Sequence, residues 1–277
     1  MKHRYLCVIG ALVLASISFG QEPAAAPEGG PRGGSGRGGR RGANRPPAGP
    51  TPRLPDNPFY GVNAGKPDFG GKGMWNVPYI IDMQKQGRSP DGGPVEVPFT
   101  ADAKKIFDER TANHSKDDPE GFCLPPGVPR MMYTPYPTQI YQMADRILFI
   151  FEGGAHVWRL IWMDGRKHPD DPNPTFLGDS VGHWEGDTLV VDTVGFNERF
   201  WLSREGIPHT EYLHLIEKFT RTDSETLKYE ATIDDPGAYT RPWSGGWNIR
   251  WSPGEELYEY MCQENNRDVK HMYGGER

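Results

Sequence analysis

The sequence predicts an all-β fold: an antiparallel meander barrel of eight to nine strands, with an irregular N-terminal arm and one short helix. Three observations predict it. After Pro137, short runs rich in β-branched and aromatic residues follow one another, separated by breaks of Gly, Asp and Pro. Several breaks, among them Glu185-Gly186-Asp187 and the stretch Thr222 to Glu225, are hairpin-sized. A sequential meander of this length also removes its exposed edges most readily by closing on itself.

At the N-terminus, Lys2 and Arg4 precede an apolar run from Cys7 to Phe19, with Ser18 and Gly20 before a polar break. This predicts a secretory signal peptide over residues 1–20 and an exported protein, periplasmic or secreted. Residues 21–53 carry Gly, Pro and Arg but almost no large apolar side chain, so they are expected to form a disordered linker. The arginines resemble an RNA-binding tract, but export favours a flexible tether.

Residues 54–277 are expected to form a single β-barrel domain. Removing Glu22 and Glu28 from the 37 acidic residues, and Lys2, Arg4 and six linker arginines from the 31 basic ones, leaves 35 against 23, a net charge of about −12. That balance excludes a nucleic-acid surface, and the domain is expected to be monomeric. No further run is long and apolar enough for a transmembrane segment.

Within the domain, residues 54–98 are dense in Gly and Pro with scattered aromatics (Phe59, Tyr60, Phe69, Trp75, Tyr79), the composition of an arm that wraps a preformed surface. Thr100 then caps a helix to about Ala112, with an acid in its first turn and Ile106 and Phe107 on one side. The predicted strands are QIYQM, ILFIFE, HVWRLIWM, SVGHWE, TLVVDTVGF, LHLIEKFTR, LKYEATID, WNIRWS and LYEYMCQE. LKYEATID alternates cleanly, with Leu227, Tyr229, Ala231 and Ile233 on one face. In LHLIEKFTR the apolar face of Leu213, Leu215 and Phe219 also carries Glu217, so either the strand is bulged or a carboxylate points inward and needs a partner. Arg159, in the otherwise apolar HVWRLIWM, is the candidate partner.

Once the leader is removed, Cys123 and Cys262 remain, and two cysteines in an exported protein are most simply one disulfide. A free or metal-binding pair is the alternative, although neither cysteine has a second cysteine or a histidine two to four residues away.

WEGDTLVVDT is similar to the W-x-G-x-x-L hairpin of lipocalin and fatty-acid-binding-type barrels, the calycin-like group. More of the chain resembles a widespread family of uncharacterised exported bacterial proteins. The pieces that carry this resemblance are DPEGFCLPPGVPRMMYTPYPTQIYQ, the stretch from RLIWMDGRKHPDD to GHWEGDTLVVDTVGFN, WLSREGIPHTEYLHLIEKFTR, TIDDPGAYTRPW and EYMCQEN. The resemblance implies a shared fold with both cysteines as family features, and no established activity.

The chain is richest in histidines and carboxylates between Gly178 and Glu217. His183, His209 and His214 are candidate acids or bases, with Glu217 or Asp192 to orient them. Arg159 and Arg166 are candidate anchors for a substrate group, and Trp184 and Tyr239 are candidate ligand contacts. Glu185 and Asp187 read as turn residues. His209, Glu211 and His214 supply two imidazoles and a carboxylate that would suit a divalent metal, although the spacing is not that of a helical HExxH site, and no other cofactor is expected. The chain has no GxxxxGK[ST], no strand followed by GxGxxG and no CxxC, which disfavours nucleotide hydrolases, dinucleotide oxidoreductases and thioredoxin-like enzymes. The leading functional expectation is a barrel that binds a small organic ligand in a polar cavity. An enzyme using the same cavity for lyase, isomerase or hydrolase chemistry, with or without a metal, is the alternative, and a structural envelope protein is a third.

Overall fold

Nine strands close into a barrel, and their order around it follows the chain. The structure is a computed structural model describing residues 47–264, so the predicted leader and most of the linker lie outside the described residues. The strands are β1 (Gly73–Asn76), β2 (Thr138–Gln142), β3 (Arg146–Phe151), β4 (Trp158–Trp162), β5 (Asp179–Glu185), β6 (Thr188–Val194), β7 (His214–Asp223), β8 (Thr226–Asp234) and β9 (Trp243–Pro253). Among the described residues three α-helices accompany them, α1 (Met83–Gln86), α2 (Ala101–Ala112) and α3 (Gly153–His156), besides three short 3-10 turns. The hydroxyl of Thr100 accepts from the Ala103 amide and starts α2 at the expected position.

The barrel departs from the expected meander in two places. β1, from the arm read as irregular, pairs with β9 on one side and β2 on the other and so closes the barrel. The C-terminal run LYEYMCQE, read as a strand, is irregular and is held by the disulfide between Cys123 and Cys262. β4 and β5 are the second departure. They run parallel, paired at Ile161–Ser180 and Trp162–Val181, because the long connection 163–178 crosses back along the barrel before β5 begins.

Side chains alternate through the wall as the two-residue period requires. Along β7, Leu215, Glu217, Phe219 and Arg221 are buried, and a shift in register lies between Arg221 and Asp223. Phe149, Phe151, Phe219 and Tyr229 pack within the core, with Phe219 5.3 Å from Phe149 and 5.0 Å from Tyr229 between ring centres. Fully burying one such ring contributes about 1.5 to 3 kcal/mol. The arm packs into the core: Trp75 donates to Phe69 O at 2.8 Å, and Phe69, Trp75, Val77, Ile80, Met83 and Val95 are buried in the same cluster as the inward-facing strand residues. Residues 47–53, placed by composition in the linker, lie along the barrel, with Gly49 O accepting from Ser224 N and Arg53 paired with Asp187.

Candidate functional site

The predicted site residues divide among several environments. Glu217 turns inward and meets Arg159: one carboxylate oxygen accepts from Arg159 Nη2, the other from Tyr229 Oη at 2.7 Å. Ser180 Oγ and Thr193 Oγ1 complete this network at 3.2 and 2.8 Å from the guanidinium. Arg159 and Glu217 are 2% and 0% exposed, so their charges compensate each other inside the wall.

Asp192 and His214 do come together, but on the outer surface. His214 Nε2 lies 2.8 Å from Asp192 Oδ1, and the same oxygen is 3.2 Å from His168 Nε2, whose other nitrogen is 2.6 Å from Asp179. His183 is exposed beside Glu185. His209 is buried against the Phe200 ring, 4.1 Å between centres, with its nitrogens at the carbonyls of Thr210 and Phe200. His183, Asp192, His209, His214 and Glu217, offered as alternative acids, bases and orienting groups, therefore do not meet in one cavity: strand parity sends Asp192 and Glu217 to opposite faces of the sheet.

The trio proposed for a metal does not converge either. Glu211 is exposed on the loop, His209 is used inside the fold, and His214 faces Asp192. Among the described residues no group of three His, Cys, Asp or Glu side chains is arranged to hold a metal ion. Arg166 is exposed, bonded to Asp164 and stacked over Trp162. Trp184 donates to Asn63 at 2.8 Å and so fastens the arm. Tyr239 gives its hydroxyl to Pro208 O at 2.5 Å, while Asp235 accepts from the Thr210 amide and hydroxyl, so the two long loops are tied together at that end. One further pattern is resolved by the fold. GDSVG, Gly178 to Gly182, has the G-x-S-x-G spacing of a hydrolase nucleophile, but Ser180 lies within β5, 2% exposed and bonded to Arg159, rather than on a strand-to-helix turn.

A cleft of about 870 Å³, none of whose lining residues the sequence patterns named as a catalytic or ligand-binding candidate, is the better candidate site. Its lining includes Tyr79, His114, Asp118, Glu120, Arg130, Tyr133, Tyr136, Arg204 and Tyr260, together with both cysteines. Gly127, with φ of 69° and the Phe200 ring 2.3 Å from where a Cβ would stand, sets the turn that leads into Arg130. Arg130 is 2% exposed and holds Asp118 through two bonds of 2.7 and 2.6 Å and Glu120 through one of 2.5 Å.

Two features mark this cleft chemically. Tyr133 is 1% exposed, and its hydroxyl has no hydrogen-bond partner among the described residues. Burial drives its pKa well up, so it remains an O–H donor. Burial also raises the Glu120 carboxyl above the usual range, opposed by Arg130, and likewise raises Glu205, which lies outside the lining but whose charge is felt by Tyr133 and whose Oε2 is a second buried atom without a partner among the described residues. No family model, curated protein or solved structure matches the chain. The backbone supplies a further sign. Among the described residues the non-glycine positions in left-handed conformation are His114, Ser115 and Cys123, and all three line the cleft. Such conformations cost on the order of 1 to 3 kcal/mol each and concentrate at functional sites. Sequence reading passed over Glu120, Arg130 and Tyr133 because loop residues have no periodicity; the one signal was that they fall in the piece DPEGFCLPPGVPRMMY that carries the family resemblance.

Proposed function

We propose that this chain is an exported β-barrel protein that binds a small polar organic molecule in the cleft around Tyr133, and that it belongs to the family of exported bacterial proteins it resembles. The observation that carries the reading is Tyr133, which lines a cleft of ligand size and whose buried hydroxyl has no partner among the described residues. A ligand carbonyl or hydroxyl oxygen would accept from it, and the rings of Tyr79, Tyr136 and Tyr260 offer stacking surface for a sugar or phenol. The paired cysteines are in keeping with an oxidising compartment. Saturation-transfer NMR against a panel of small sugars and phenolic acids tests the reading. Tyr133→Phe, which keeps the ring and deletes the donor, is expected to weaken a wild-type binder about tenfold. A panel with no binder sensitive to Tyr133 would reject the proposal.

Acid–base catalysis in the same cleft is the second reading, favoured by the raised carboxyl of Glu120 next to Arg130. Under it, Glu120→Gln would still bind the ligand but lose turnover, and unchanged turnover would remove Glu120 from the chemistry.

A further inference from the structure

The end of α2 and the loop between β6 and β7 meet at one rim of the Tyr133 cleft. Arg110 Nη1 donates to Gly206 O at 3.1 Å and Thr111 Oγ1 to Glu205 O at 3.4 Å, so the turn that follows α2 stands beside Arg204. That turn stops the helix through a bond from Ser115 N to Arg110 O, with His114 at φ 54° in the position where glycine is the usual residue. A side chain is thus kept there at a backbone cost. The turn brings His114 and Lys116, both exposed, to the lining of the cleft. Among the described residues neither side chain has a hydrogen-bond or ion-pair partner. Arg204 lines the same cleft: its guanidinium donates to the Tyr79 hydroxyl, lies 5.8 Å from that ring's centre and has no carboxylate partner among the described residues.

Charge decides the kind of ligand. Deeper in the cleft the charges are engaged with one another, Arg130 holding both Asp118 and Glu120. Burial raises the Glu120 carboxyl, and Arg130 and Arg204 oppose that rise, which sets Arg204 within reach of the same charged group. The remaining carboxylate of the lining, Glu264, comes from the C-terminal segment, two residues beyond Cys262. Lys116 and Arg204 are therefore cations without a counter-ion in a domain whose net charge is about −12 over residues 54–277. We infer that the molecule bound in this cleft is a small acid, whose carboxylate is held at the rim by Arg204 and Lys116, with His114 adding an N–H. Guanidinium and ammonium groups bind carboxylates through charge-assisted bonds, and the body of the acid then reaches the tyrosine rings. The inference deepens the binding reading above and rests on it.

Isothermal titration calorimetry with para-hydroxycinnamate and with glucuronate, each against its methyl ester, tests this. The ester keeps the shape and removes the charge. At least one acid is expected to bind about tenfold more tightly than its ester. Arg204→Gln and Lys116→Gln change exposed side chains, so the fold is retained, and each should weaken that acid about threefold while leaving the ester unchanged. Lys167→Gln removes the same charge from an exposed position outside the lining and should change neither. The inference is overturned if neither acid binds, if acid and ester bind alike, if both rim variants bind the acid as wild type does, or if Lys167→Gln weakens it as much as they do. Acid and ester binding alike, with both weakened in Tyr133→Phe, would overturn the carboxylate alone and leave the cleft a binding site.

Discussion

Arg159 and Glu217 each leave a large desolvation cost uncompensated without the other. Glu217→Gln is expected to lower stability by about 3 to 5 kcal/mol in urea unfolding, since it strands a guanidinium that is 2% exposed. The double change Arg159→Met with Glu217→Leu should cost less than the two single changes added together, and additive losses would show that the pair is not coupled. His209 gives a pH-dependent term. Burial lowers its imidazole from the ordinary 6.5, so the unfolded chain binds the proton more tightly. Its contribution is whole above pH 6.5 and is lost as the pH falls through the lowered folded value. Glu120 and Glu205, both raised, act with the opposite sign: their contribution is present below the ordinary carboxylate value and declines as the pH rises. The His209 term is therefore isolated by difference. Wild type is expected to lose stability relative to His209→Gln on going below pH 6.5, and parallel curves would contradict a buried neutral ring. At this scale the sequence was readable where a charge broke an apolar pattern, as at Arg159 and Glu217. It was opaque for Tyr133 and Arg130, whose burial depends on how loops fold over one end.

Among the elements, α2 and the strands from β2 to β9 were legible because caps and alternation are local signals. β1 was not, since four residues, Gly73 to Asn76, in a Gly- and Pro-rich arm carry too short a pattern to separate from coil. LYEYMCQE has strand-like composition, but its covalent tie to Cys123 holds it outside the barrel's pairing. The parallel step from β4 to β5 hides in a connection too long to be a hairpin, whose length alone does not state direction. Such a sparsely paired seam should be the part of the wall most open to exchange. Amide hydrogen exchange is expected to be faster across residues 177–181 than across β7 and β8, which share nine paired positions. Uniform protection around the barrel would mean that the seam is as well held as its neighbours.

For the whole molecule, the disulfide spans 139 residues, joining the loop before β2 to the segment after β9. In the chain-entropy account a bridge closing so long a loop contributes about 4 to 5 kcal/mol, so reduction should lower the melting temperature clearly. An unchanged melting point on reduction would show that the bridge adds no stability. Among the described residues no helix is long and apolar enough to cross a membrane. The bridge has one more consequence, for a chain that is cut. Every strand from β2 to β9 lies between its two ends, so a protease that nicks the exposed 163–178 connection produces two fragments that remain one covalent molecule. Damage of that kind would leave the molecular weight intact until a reductant parted the halves.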